Sequence, residues 1–216
     1  AAGFEELLIE YLEEAGTPGA RMARERALAA NVAPWVVEFE RRRREGARLL
    51  IEQEGRYTFA AGSGVFTLTA KADRIEVRRN QADILDFKTG MPPSAKQVAS
   101  GVAPQLTLTA AILHAGGFSE AGKMTPGDLI YIRVSGGRTP GEELARASGA
   151  ETLDLAQHAL EGLKKRVERF DDPATPYVSW ATPQFINKYA GDYDHLARLW
   201  EWHVIGEGAD GAEGGE

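Results

Sequence analysis

The stretch VFTLTAKADRIEVRRNQADILDFKTG, residues 65–90, constrains this chain more than any other. Two runs rich in apolar and β-branched residues flank the polar turn RRNQ, which reads as two antiparallel strands joined tightly. Strand side chains alternate between faces, so Phe66, Leu68, Ala70 and Ala72 share one face and Thr67, Thr69, Lys71 and Asp73 the other. Centring the turn on Arg79 and Asn80 sets Asp73 opposite Asp86, with Cβ atoms about 5 Å apart on one face. Asp86 and Lys88 also share that face, with Ile84, while Leu85 and Phe87 point away. Arg74 points away from Asp73 and is read as structural.

Two facing carboxylates repel unless a cation lies between them, and a hard divalent ion such as magnesium or manganese suits two oxygen donors. Lys88 would then orient a water or stabilise charge developing on a phosphate. The competing reading is a structural Asp86–Lys88 ion pair with Asp73 solvated. The residue pattern alone leaves both open.

Around this hairpin the pattern predicts a helix over Gly3–Ala15, with Phe4, Leu7, Leu8, Tyr11 and Leu12 on one side, broken by GTPG. A second helical region starts near Arg21 and a long helix runs from about Pro34 to Glu52, although LLIEQEG can instead open the first strand. Gly-Ser-Gly separates that strand from the next. A helix from about Pro104 to His114 is closed by Gly116 and Gly117. GDLIYIRVSGG is a further strand, and Leu153–Phe170 an amphipathic helix with Leu155, Leu160, Leu163 and Val167 inward. DDPATPYVSWATPQF reads as extended, YDHLARLWEW as a short helix, and GEGADGAEGGE as a disordered tail. Helices, a mostly antiparallel sheet, then helices give an α/β or α+β domain over residues 1–205, with an acidic tail at 206–216.

With no cysteine, the chain holds no disulfide, no thiolate zinc site and no iron–sulfur cluster. No stretch approaches the roughly 18–20 apolar residues of a membrane span, and the acidic N-terminus is not a targeting peptide. A formal charge of −7 argues against a generic nucleic-acid coat. The clusters ERRRREGAR and KKRVER can contact phosphates or serve as the wet faces of helices. Trp35, Trp180, Trp200 and Trp202 are too scattered for a base-stacking platform.

ADRIEV, then ILDFKTG, then APQLTL resembles the RecB-type branch of the PD-(D/E)XK nuclease superfamily. PPSAKQVASGVAPQL and TPYVSWATP with YDHLARLWEW resemble the C-terminal nuclease domain of AddB-type double-strand break repair proteins, so the likeness spans about Trp35 to Trp202. It implies a restriction-endonuclease-like α/β core, a mixed sheet flanked by helices, and magnesium-dependent hydrolysis of DNA phosphodiesters, with manganese as a substitute. Asp73, Asp86 and the Phe87 carbonyl would hold the metal, Lys88 would orient the attacking water, and Gln105 would steady the lysine or the phosphate. The implied setting is cytoplasmic, on single-stranded DNA ends, beside an AddA-like helicase–nuclease partner.

Three features depart from that pattern. The family's early histidine ligand has no counterpart, because His114, His158, His195 and His203 all follow the strands; it is expected upstream, in a longer parent protein. Thr109 stands where relatives often carry an aromatic or acidic residue. The iron–sulfur staple of some relatives is impossible here. Glu52 is a further candidate acidic ligand, ahead of Glu54, against a solvated edge position for both; His195 reads as a packing residue. The rival class is a non-catalytic DNA-binding or protein-interaction module that keeps the nuclease fold.

Overall fold

A computed structural model describes residues 2–176 other than Ser63. Residues Ala1–Asp171 make one compact unit and Asp172–Glu216 a second. The readings for the extended stretch after Tyr177, the helix around His195, and the acidic tail lie outside the described residues, as do those for Trp180, Trp200, Trp202 and His203. No described helix is long and apolar enough to cross a membrane.

The first unit is a five-stranded mixed sheet flanked by helices. Helix α1 (Ala2–Glu14) precedes α2 (Gly19–Arg44), then come β1 (Arg48–Ala61), β2 (Gly64–Arg78) and β3 (Gln81–Lys88). Short α3 (Ala95–Ala99) and α4 (Gln105–Ala115) lead to β4 (Thr125–Val134), β5 (Gly141–Ala147) and α5 (Ala150–Asp171). The strands lie side by side in chain order; β3 and β4 are parallel and every other neighbouring pair is antiparallel. A parallel pair needs a long crossover, and α3 with α4 supply it.

Two sequence expectations change. The long helix does not start at Pro34 and run to Glu52; Pro34 lies inside α2, which ends at Arg44. A proline in a helix interior costs roughly 3 kcal/mol through its missing N–H and a steric clash. Burial of Ala29, Val32, Ala33 and Phe39 along α2 offsets that. The alternative start of β1 at about Leu49 is the one observed, after the left-handed Gly46. In α1 the apolar stripe is only half covered: the helix lies against α2, but Leu7 and Tyr11 remain exposed.

Alternation along β2 and β3 divides the core in two. On one face Ile75, Ala82 and Ile84 pack with Leu106, Ala110, Ile112 and Leu113 of α4 and with Leu129 and Tyr131 of β4. On the other, Leu85, Ile130 and Ile132 meet Phe39 of α2. Gly116 closes α4 in the left-handed conformation, at φ 83°, donating its N–H to the Leu113 carbonyl. Gly117 then runs against β1, where any Cβ would strike the Arg56 carbonyl; its own carbonyl accepts the Arg56 N–H at 3.1 Å. These two glycines lock the end of α4 onto the sheet and so fix where its first residue, Gln105, stands.

Candidate active site

The β2–β3 register is the expected one. Arg78 pairs with Gln81 across the turn, where Arg79 takes a left-handed φ of 53°, and the ladder runs to Arg74 opposite Leu85. One step further Asp73 faces Asp86, and there side chains take over from the ladder: Asp73 Oδ2 accepts the Phe87 N–H at 2.8 Å. Asp73 is thereby tied to the backbone of the strand that carries Asp86 and Lys88.

Asp86 is 4% exposed. Its Oδ1 accepts from Gln105 Nε2 at 2.6 Å, and its Oδ2 lies 2.6 Å from Lys88 Nζ. Gln105 Oε1 accepts from Lys88 Nζ at 3.4 Å, so one amide meets both charged groups, its nitrogen end on the acid and its oxygen end on the base. Thr109 is buried and donates its hydroxyl to the Gln105 carbonyl at 2.8 Å, anchoring the first turn of α4. Asp73, Asp86, Lys88 and Gln105 therefore converge from three elements.

Burial pushes the Asp86 carboxyl above its ordinary range, and the charge of Asp73 adds to the rise; Lys88 and Gln105 pull against it without cancelling it. The metal-free site is thus charge-strained, with the Lys88 ammonium at 2.6 Å as the counter-charge on Asp86 Oδ2. A hard cation fits this donor set: two carboxylates and the Phe87 carbonyl, with waters filling the remaining positions as magnesium prefers. Among the described residues no third acidic or histidine side chain completes a ligand cluster. Glu52 falls opposite Asp73 in the β1–β2 register but takes a left-handed φ of 54°, and its exposed carboxylate is bound to Lys71. His114 sits at the other end of α4, lining a small cavity with Asn80 and Lys123.

Two residues at the site were missed by sequence reasoning. Tyr131 on β4 pairs with Asp86 in the parallel register, and Lys88 Nζ lies 5.8 Å from its ring centroid. Burial and then the Asp86 charge raise its phenol to about 12, so it stays protonated at neutral pH. Arg146 on β5 reaches the same ring, with its guanidinium carbon 6.0 Å from the centroid. Neither was legible, because the parallel register is set by the crossover and not by a local turn.

The arginine cluster at the end of α2 is not a free phosphate-binding face. Arg43 is bound to Glu76 and Asp83, Arg42 to Glu143, Arg44 to Glu40 and Arg41 to Glu38. Arg74 joins Glu40 and Glu76, which makes it structural as expected. Between this network and the site lies a cleft of about 540 Å³ lined by Glu40, Arg44, Ile51, Asp73 and Phe87, among others.

The model for the PD-(D/E)XK nuclease superfamily matches residues 3–179, and the chain belongs to that superfamily. A Rickettsia bellii protein of uncharacterised function is 29% identical over 164 residues, covering 72% of this chain and 19% of that protein. An uncharacterised Rickettsia felis protein is 32% identical over 79 residues, covering 36% of this chain and 9% of its own length. The chain thus spans less than a fifth of the curated relatives it matches. Among solved structures, one titled "Crystal structure of SSO0001" is similar over 71% of this chain and 69% of its own, at 16% identity and a TM-score of 0.32.

Proposed function

We propose that this chain is a metal-dependent deoxyribonuclease domain that hydrolyses DNA phosphodiesters at Asp73, Asp86, Lys88 and Gln105. The convergence of these four side chains at the end of the β2–β3 ladder carries the reading. When bound there by Asp73, Asp86 and the Phe87 carbonyl, magnesium or manganese would supply Lewis-acid polarisation of a phosphoryl oxygen. Asp86 must be ionised to hold the cation, and Lys88 at 2.6 Å favours that form. Lys88 would then orient the attacking water and face the charge that develops on phosphorus. Gln105 bridges the pair, donating to Asp86 and offering its carbonyl end to Lys88 as a second acceptor. Tyr131 walls the site from β4 and supplies an apolar ring beneath the lysine.

The sequence resemblance supports placing the domain in the RecB-like branch, within an AddB-type protein that trims single-stranded DNA ends. A cytoplasmic AddA-like helicase–nuclease partner would unwind the duplex. The pairing of Arg41, Arg42, Arg43 and Arg44 at the end of α2 suits such an arrangement, since other domains would guide the DNA.

Calorimetric titration of the chain with magnesium and manganese, with cleavage of end-labelled single-stranded DNA in the same samples, tests the proposal. Metal binding accompanied by cleavage that ethylenediaminetetraacetate abolishes is expected. DNA binding with neither metal uptake nor cleavage would make this a binding module on a nuclease fold.

A further inference from the structure

Among the described residues, Arg146 is the cation at this site without a partner carboxylate. The β4–β5 ladder pairs Leu129 with Ala147 and Ile130 with Ala145, so Arg146 is the extra residue of a bulge. A bulge turns a side chain away from the face that strict alternation assigns it, and such irregularities are common beside active sites. Ala145 is exposed on one side, and both Leu144 and Ala147 belong to the core on the α4 side. Arg146, two residues from Leu144, lies on that same side over the ring of Tyr131, and the bulge returns Ala147 to it as well. Its charge is felt at the Tyr131 hydroxyl together with that of Asp86.

The surroundings make the absence of a partner informative. Arg146 is half-buried, and its Nε is buried with no hydrogen-bond partner. No carboxylate among the described residues lies within ion-pair distance of it. Arg133, which stands opposite Lys88 in the β3–β4 register, is by contrast engaged with Glu142 at 3.4 Å. Leaving a guanidinium Nε without water or an acceptor costs stability, and the cost is recovered when an anion with paired oxygens arrives. Lys88 and Arg146 both lie within 6.0 Å of the centroid of one ring. Lys88 comes from β3 and Arg146 from β5, so they flank the ring on β4 and present two cations to one polyanion.

We infer that Arg146 is a substrate-binding residue that grips a backbone phosphate of the DNA strand beside the phosphate attacked at Lys88. The inference rests on the nuclease reading and adds to it a phosphate contact on β5. Arg146 sets the register of the strand at the site and makes no contribution to bond breaking itself. Phosphate contacts position a nucleic acid without reading its sequence, so the contact is independent of base identity.

The test uses the full chain in an Asp86→Asn background, which binds without cutting, and a fluorescein-labelled oligothymidylate. Anisotropy is followed from about 50 to 200 mM salt, where each lost phosphate contact lowers the log–log slope by about 0.7 for a single strand. Arg146→Ala is expected to weaken binding about five- to tenfold and to reduce the slope by that amount. Arg146→Lys should keep the slope, because the charge remains, while binding more weakly. Arg138→Ala, an exposed arginine on the β4–β5 loop, should match the background chain. With Asp86 restored and magnesium present, Arg146→Ala should raise KM far more than it lowers kcat. Should the alanine variant fail to fold, Arg146→Gln keeps the aliphatic stem and serves in its place. Unchanged affinity and slope in Arg146→Ala would overturn the inference and leave the nuclease reading standing. Failure of the background chain to bind DNA at all would bring down both.

Discussion

Strands β2 and β3 carry charge on both faces, and the two faces treat it in opposite ways. Toward α2, Arg43, Arg74 and Arg78 meet Glu40, Glu76 and Asp83, three cations against three acids, with Glu76 wholly buried between the arginines at 2.8–2.9 Å. Toward α4, Asp73 and Asp86 face each other with Lys88 alone close to Asp86, and Arg146 stands unpaired. The carboxyl pKa directions divide less simply, because burial also pushes Asp83 of the matched network upward, despite Arg43 and Arg78 beside it. For Glu40 burial alone would raise the carboxyl, but hydrogen bonds and charge from Arg44 and Arg74 outweigh it and hold it below its ordinary range. For Asp86 burial wins and the carboxyl rises. A matched network is scaffold, whereas an unmatched one is waiting for something charged to arrive.

That contrast can be broken at either face. The largest effect is expected from Asp86→Asn, which should reduce cleavage about a thousandfold, equivalent to several kcal/mol of lost transition-state stabilisation. Its melting temperature without metal should stay level or rise by a few degrees, since a costly buried charge is removed; a clear fall would contradict the strain inferred at the site. Glu76→Ala should do the reverse and act on stability. Three arginines left facing one another without their shared acid should cost about 3–5 kcal/mol, read as a large drop in denaturation midpoint. A variant as stable as the parent would show that the network is not holding α2 to the sheet.

Lys88→Ala should keep metal binding by calorimetry and lose about a hundredfold in cleavage rate, roughly 2.7 kcal/mol. Unchanged cleavage would remove the lysine from the mechanism. A smaller loss, about tenfold, is expected for Gln105→Ala, which removes the amide that bridges Asp86 and Lys88. Kinetic assay at saturating magnesium checks this, and a loss equal to that of Lys88→Ala would give the glutamine a direct role on the phosphate.

The smallest expected effect is a pH signature with opposite signs for Asp86 and Glu40. Asp86 has a raised carboxyl, so its contribution to metal-free stability is full below its ordinary value of 3.8 and is lost as pH climbs through the raised value. Glu40 has a lowered carboxyl, so its contribution is present above 4.5 and is lost as pH falls through the lowered value. Chemical denaturation across the acid range should show the first slope vanish in Asp86→Asn and the second in Glu40→Gln. Identical profiles for both variants would mean the two carboxyls do not differ as described.

Much of the site was legible in the sequence because it depends on local rules. Alternation set Asp86 and Lys88 on one face, and a tight turn at Arg79–Asn80 allows only one register, which brings Asp73 opposite Asp86. Gly116 and Gly117 mark the end of α4 for reasons of backbone geometry. The resemblance brought in Gln105, whose bond to Asp86 no spacing rule could provide. The arginine-rich end of α2 was left open between a phosphate face and a wet helix face, because its partners Glu76, Asp83 and Glu143 sit on three different strands and no local rule pairs them with it.

What the amino-acid order determined by itself was the β2–β3 hairpin, the face its carboxylates share, and the helix ends that capping and glycine dictate. These are interactions between near neighbours in the chain, where few alternative geometries compete. Tertiary structure alone decided the passage of α2 through Pro34, the parallel β3–β4 pairing that seats Tyr131 beside Asp86, and the β4–β5 pairing that sets Arg146 over Tyr131. Each turns on packing between residues distant in sequence, where burial gained over a whole face outweighs a local preference worth one hydrogen bond or one turn.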